Sequence, residues 1–143
     1  MKVLLIEDNP ILGEALRDHV LASGYDVDWR MNFADGMSAS LSNGYDLILL
    51  DLRLPDGDGL GILRFMTQKR SVSPTIIMTA YDQVSDLMEG LRSGASDYLV
   101  KPFNLSELTL RMERAHIRRV IGATNPWIRH LERVVAIPPA VSY

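Results

Sequence analysis

The chain predicts an α/β protein, a doubly wound parallel sheet of five strands flanked by five helices. Three observations carry that prediction. Short aliphatic runs alternate with helical stretches, one pair roughly every 25 residues. The runs Leu4-Leu5-Ile6, Leu47-Ile48-Leu49-Leu50 and Thr75-Ile76-Ile77-Met78 are continuously apolar, as expected of strands covered on both faces. Each also ends abruptly in polar residues: Glu7-Asp8, Asp51 and Thr79.

The elements follow in order. Lys2–Glu7 reads as the first strand. Pro10 sits near the start of a helix carrying Leu12, Leu16 and Val20, and Gly24 ends it in the left-handed conformation. Val27–Arg30 is shorter and more polar, which suits a sheet edge. Ala34, Met37 and Leu41 mark a second helix, stopped by Asn43-Gly44. The Asp51 strand leads through the turn-rich Leu54-Pro55-Asp56-Gly57-Asp58-Gly59 into a helix with Ile62, Leu63 and Met66. Thr75–Thr79 is the fourth strand. Val84, Leu87, Met88 and Leu91 then repeat at the spacing of one buried helix face, and Gly94 closes that helix. Tyr98-Leu99-Val100 makes a short fifth strand. Asn104 caps the last helix, with Glu107 completing a capping box and Leu105, Leu108, Met112 and Ala115 turned inward. Right-handed crossovers leave the flavodoxin-like order 2-1-3-4-5 as the expected topology.

Bulk properties bound the function. The 143 residues suit one domain. No run approaches the ~20 apolar residues of a membrane span, and Lys2 leading straight into a strand pattern and then acids is not expected to be a signal peptide. The absence of cysteine excludes disulfides and thiolate metal sites, so a cytoplasmic location is the expectation. The net charge of −3 is unevenly spread: residues 111–143 hold six arginines against two glutamates, and the first 110 residues hold nine bases against sixteen acids. An acidic body of that kind is a poor nucleic-acid binder by itself.

In open α/β sheets, chemistry collects at the carboxyl ends of the strands. The expected order makes the first and third strands neighbours, so Glu7, Asp8 and Asp51 should converge. Two unit charges ~4 Å apart cost about 4 kcal/mol at an effective dielectric of 20. Such a cluster needs a shared proton or a cation; oxygen-only ligands favour Mg²⁺, with Mn²⁺ as the alternative. Equally open is that Glu7 and Asp8 only cap the first helix. Lys101 closes the fifth strand beside Pro102, where a cis bond is allowed, and suits an anion such as a phosphoryl oxygen. Thr79 adds a hydroxyl. Carboxylate, cation, lysine and hydroxyl together suit phosphoryl transfer.

These residues carry a resemblance. Glu7-Asp8, Asp51, Leu54-Pro55-Asp56 with Gly57 and Gly59, Thr79-Ala80, Gly94-Ala95 and Lys101-Pro102-Phe103 resemble, in order and spacing, the receiver domain of a two-component response regulator. The stretch 97–103, with Glu107-Leu108 and Arg111, is most similar to receivers of winged-helix transcriptional regulators. The resemblance implies that Asp51 is the phosphoacceptor, taking phosphate from a sensor histidine kinase. It implies Asp8 and Asp51 as direct Mg²⁺ ligands with the backbone carbonyl of Arg53, and Glu7 acting through water. It also implies Lys101 as the phosphoryl-binding lysine and Thr79 with Tyr98 as a switch pair that remodels the face of the fourth helix, fifth strand and fifth helix. Arg53 and Tyr81 are expected to flank the phosphoryl group.

Receivers of that group pair through this face, where Asp97, Glu107 and Arg111 match salt-bridge partners. Leu87 stands where a base is usual, and Ser96 replaces a frequent acid, so homodimer formation on phosphorylation is expected only in altered form. Leu110, Ile117 and Ile121 form a second stripe, open to a partner or the tail. The receiver is expected to span residues 1–119, and residues 120–143 to form an extension. That extension is expected to be a linker stub, residues foreign to the natural protein, or a short helix from Asn125-Pro126 carrying Trp127, Ile128, Leu131, Val134 and Val135 on one face. DNA would be reached only through an output domain outside this chain. The chain is not expected to be an enzyme beyond self-phosphorylation and dephosphorylation of Asp51. A dehalogenase-like phosphatase would need an acid where Arg53 stands, and a nucleotide or flavin binder would need a phosphate-cradling glycine loop. The rival readings are a stand-alone receiver and a phosphate-independent pseudo-receiver, either acting as a protein-interaction module.

Overall fold

The structure, a computed structural model, describes residues 1–42, 44–71, 73–80 and 83–121. The side chains of Val84 and Ile121, the position of Tyr81, and the extension with its expected helix lie outside that description.

Among the described residues, seven strands and five helices follow one another as β1 (Lys2–Ile6), α1 (Pro10–Ala22), β2 (Asp26–Arg30), α2 (Phe33–Ser40), β3 (Leu47–Asp51), β4 (Arg53–Leu54), β5 (Gly57–Asp58), α3 (Leu60–Gln68), β6 (Thr75–Ala80), α4 (Val84–Arg92), β7 (Asp97–Lys101) and α5 (Leu105–Ile121). The main sheet has the order β2-β1-β3-β6-β7, with every pairing parallel. This is the expected five-stranded topology. The polar second strand lies at the edge as its composition predicts. β4 and β5 form a separate antiparallel pair, Arg53 opposite Asp58 and Leu54 opposite Gly57. Two residues per strand are too few to show a period, so the turn composition alone marked this region.

The period of two along a strand divides the core. Leu4, Ile6, Ile48, Leu50 and Ile77 face a layer built by α2, α3 and α4. Val3, Leu5, Leu49, Ile76 and Met78 face α1 and α5 through Leu16, Val20, Leu108 and Met112. Each fully buried Leu or Ile contributes roughly 1.5–3 kcal/mol relative to exposure. β3, buried at all five positions, is the axis of the molecule.

Helix starts settle the capping question. Asn9 caps α1, its Oδ1 accepting from the backbone N–H of Ile11 (2.9 Å) and Leu12 (3.1 Å), with Pro10 at the first helical position. Glu7 and Asp8 are therefore not needed as caps. Asn104 caps α5 by accepting from the Glu107 N–H at 2.8 Å. The second half of the expected capping box is replaced, because the Glu107 carboxylate accepts from Arg111 one turn on.

Three apolar side chains depart from expectation. Leu41, Met88 and Leu105 are exposed, because each lies at a helix terminus or the flank of its stripe. Leu87, which the sequence places both on the buried stripe of its helix and at the pairing face, is 7% exposed and packs in the core cluster with Ile77 and Tyr98, as the stripe requires. The Lys101-Pro102 peptide is cis.

Candidate functional site

The parallel strands bring Glu7, Asp8, Asp51, Thr79 and Lys101 to one edge of the sheet. Register explains their proximity: Ile6 pairs with Leu50, Asp51 with Met78 and Thr79 with Val100. Carboxylate oxygens of Glu7, Asp8 and Asp51 lie within 4.8 Å of one another. Glu7 is fully buried and Asp51 nearly so, while Asp8 stands at the mouth.

Lys101 bridges the two buried acids, its Nζ 2.7 Å from Glu7 Oε1 and 3.2 Å from Asp51 Oδ2. Sequence reasoning assigned this lysine to a phosphoryl oxygen; here it neutralises the protein's own carboxylates. The remaining oxygens are also held. Asp51 Oδ1 accepts from the Arg53 N–H at 3.1 Å, and Glu7 Oε2 from the Asn9 N–H at 3.1 Å. Trp29 Nε1 donates to the Glu7 carbonyl at 2.9 Å and fixes that backbone.

Burial pushes the Glu7 carboxyl up to about 7, and the neighbouring Asp51 adds to the shift against the pull of Lys101. Asp51 is also raised, chiefly by burial. Burial works against the Lys101 ammonium, but contacts with Glu7 and Asp51 outweigh it and raise its pKa. The triad thus holds more negative charge than one lysine relieves. Three convergent carboxylates without sulfur or imidazole are a donor set for a hard divalent cation. The Thr79 Oγ1, on the adjacent strand, is buried and makes no hydrogen bond among the described residues.

Sequence reasoning missed two tethers. Asp56, in the β4–β5 turn, accepts from the N–H groups of Phe33 (2.6 Å) and Ala34 (3.0 Å) and ties the loop after Asp51 to the first turn of α2. The Pro-Asp-Gly turn hid this, because an aspartate there is equally a turn former. Arg53 Nη2 meets Asp86 Oδ2 on α4 at 2.7 Å, joining the same loop to another helix.

The residues expected at a pairing face are engaged within the chain. Arg111 Nη1 donates to Asp97 Oδ1 at 2.6 Å and its Nη2 lies 3.2 Å from Glu107 Oε1. Its guanidinium also sits over the Tyr98 ring, 5.1 Å from the centroid. Tyr98 is 4% exposed, its ring already turned into the core.

A doubly wound sheet that gathers three acids, a lysine and an unbonded threonine hydroxyl at its carboxyl edge defines an α/β domain suited to binding a cation and a phosphoryl anion together. A family model for the response regulator receiver domain matches residues 3–113, and the chain belongs to that family. Receiver domains are the phosphorylation-based signalling switches of two-component systems. The chain is 42% identical over 130 residues to the transcriptional regulatory protein QseB of Escherichia coli O157:H7, and 39% identical over 132 residues to the response regulator protein PmrA of Pseudomonas aeruginosa. Those alignments cover 91% and 92% of this chain and 59% of each relative, so the chain spans about three fifths of their length. Among solved structures, the receiver domain of Francisella response regulator 1452 superposes with a TM-score of 0.76 at 30% identity, over 82% of this chain and 97% of that one. The non-phosphorylated HemR receiver domain from Leptospira biflexa gives 0.74 at 33% identity, over 80% and 93%. No helix among the described residues is long and apolar enough to cross a membrane.

Proposed function

We propose that Asp51 is the phosphoacceptor and that a sensor histidine kinase is the physiological donor. The observation that carries this reading is the placement of Lys101 against Asp51 Oδ2, beside a cluster that one lysine does not neutralise. A carboxylate oxygen of Asp51 attacks the phosphorus of a phosphohistidine. The P–N bond breaks, the imidazole leaves with its electron pair, and an acyl phosphate remains on Asp51. Asp8, Asp51 and the Arg53 carbonyl would hold Mg²⁺, with Glu7 acting through water. When bound, the cation offsets charge on the transferring phosphoryl group.

The chain's own residues supply the rest. Lys101 exchanges its contact with Asp51 for a phosphoryl oxygen, and Thr79 donates its unbonded hydroxyl to another. Phosphorylation adds about −1.5 to −2 charges. That charge draws β6 and β7 together at their carboxyl ends, and the response passes through Tyr98 to α4, β7 and α5. Residues 1–119 act as the receiver unit, followed by the 120–143 extension. In a longer regulator the remodelled face controls pairing with a second copy and, through an output domain, transcription. The setting is the cytoplasm.

The test is intact-mass analysis after incubation with acetyl phosphate and MgCl₂. The expected result is one added phosphoryl group, labile to base and hydroxylamine, absent without Mg²⁺ and absent in Asp51→Asn. No adduct, or an adduct that survives Asp51→Asn, overturns the reading.

A further inference from the structure

At the opposite end of the sheet from Asp51 lies a cavity of about 490 Å³, within the usual size range of small-molecule sites. Its apolar floor includes Ile48, Phe65 and Met66, and three cations line it: Lys69, Arg70 and Arg119. The acid beside it, Asp46, is already engaged, accepting from Arg119 Nη1 at 3.0 Å and from the Lys2 backbone N–H at 2.8 Å. Lys69 lies over the Phe65 ring, and neither it nor Arg70 has a carboxylate partner among the described residues. Hydroxyls of Ser42 and Ser71 complete the rim.

Backbone geometry singles out Arg70. Helices α1, α3 and α4 end in the same pair of hydrogen bonds, from Gly24, Arg70 and Gly94 to the carbonyl three residues back, and from the next residue to the carbonyl five back. This termination requires a left-handed residue. Gly24 and Gly94 supply it with φ of 91° and 112°; α3 uses Arg70 at φ 55°. A side chain there costs roughly 1 kcal/mol relative to glycine. The chain therefore carries a strained arginine at the cavity rim where its own pattern elsewhere places glycine. Compensation of the α3 dipole accounts for a base near this end, but Lys69 already meets that need one residue earlier.

We propose that this cavity binds a small organic phosphate monoester, its apolar body against Phe65 and Ile48 and its phosphate between Lys69, Arg70 and Arg119. Three cations less the engaged Asp46 leave a charge of +2, which matches a phosphate dianion better than a carboxylate. Arg70 and Arg119 offer the planar donor pairs that suit phosphate oxygens. The site is separate from Asp51 and independent of its phosphorylation.

The test is an NMR titration of the full chain with phenyl phosphate, in Mg²⁺-free, low-salt buffer. Inorganic phosphate, benzoate and phenol serve as comparison probes. The expected result is saturable binding, strongest for phenyl phosphate, with shifts clustered at Phe65, Lys69, Arg70 and Arg119 and unchanged in Asp51→Asn. Arg70→Gly should raise the unfolding temperature, by relieving strain, and weaken phenyl phosphate by about tenfold. Because that variant gains stability, lost binding cannot be misfolding. Lys69→Gln provides a second arm with the same loss of affinity. Shifts centred on the Asp51 edge, no saturation at millimolar phenyl phosphate, equal binding of phenol, or unchanged affinity in Arg70→Gly overturn the proposal.

Discussion

Buried Glu7 and half-buried Lys101 form an ion pair, Oε1 to Nζ 2.7 Å, that spans the sheet from β1's end to β7's and encloses Asp51 between them. The pair does not relieve the site fully, since Glu7 is still pushed up to about 7. An acid whose folded pKa lies above its unfolded value binds more protons when folded, so stability falls as pH rises through that interval. For Glu7 the interval runs from 4.5 to about 7. Metal-free protein should therefore lose stability between pH 5 and pH 7.5, read as urea midpoints at half-unit steps. Saturating MgCl₂ should flatten or reverse the slope, because a cation favours the ionised acids. A stability that climbs over this range without Mg²⁺ contradicts the assignment. The lowered carboxyls of Asp28, held by Tyr45, and of Asp46, held by the Lys2 N–H, lose their contribution only as pH falls through their depressed values, outside this window.

Arg111 and Asp97 are both largely buried, with side-chain exposures of 14% and 9%. Removing Arg111 leaves Asp97 with only the Tyr98 N–H at 2.8 Å and the more distant Arg114, 3.9 Å from its other oxygen, at a cost of about 3 kcal/mol. Arg111→Ala should lower stability by about that amount, and more than Glu107→Ala, whose side chain is 39% exposed. Loss of the guanidinium over Tyr98 should also alter the fluorescence and near-ultraviolet circular dichroism of that ring. Equal, small losses in both variants would mean that Arg114 and solvent, not the Arg111 pair, satisfy Asp97.

Gly13 lies inside α1, where alanine is ordinarily better by roughly 1 kcal/mol. Here a Cβ would run into the Trp29 ring, whose indole is pinned by its bond to the Glu7 carbonyl. Gly13→Ala should therefore destabilise, by about 1–3 kcal/mol. It should also weaken Mg²⁺ binding, because the ring cannot move without releasing the Glu7 backbone. Calorimetric titration of Mg²⁺ on the variant checks the second effect, and an unchanged affinity would disconnect Trp29 from the site.

Most of the fold was legible because burial on both faces demands continuous aliphatic runs, and Leu47–Leu50 has no other reading at that length. The convergence of Glu7, Asp8, Asp51, Thr79 and Lys101 followed from topology: once strand order was set, the ends of adjacent parallel strands had to share one edge. Direction within that edge was not legible. Nothing in the pattern told that Lys101 would bridge Glu7 and Asp51, since a lysine there serves a protein carboxylate or a ligand equally well. Tethers such as Asp56 to the start of α2 join residues 22 and 23 positions apart through loop geometry, which carries no period. Leu87 and Met88 show the limit for helices. Both fit the stripe of α4, and only packing against Ile77 and Tyr98 decides that Leu87 enters the core while Met88 stays 43% exposed.

Thr79 separates stability from function. Its hydroxyl is buried beside the acidic cluster and bonded to no described group. A buried polar atom without a partner costs about 1–3 kcal/mol, and valine reproduces the shape and suits a strand. Thr79→Val should therefore leave the resting protein as stable as the parent or more so, by up to about 1 kcal/mol in urea titrations. The same variant lacks the donor that a phosphoryl oxygen would accept from. Its affinity for beryllofluoride with Mg²⁺ should fall by about tenfold or more, while Mg²⁺ binding alone stays unchanged. A structural hydroxyl would give the opposite pair of results, lower stability with an unaltered beryllofluoride response.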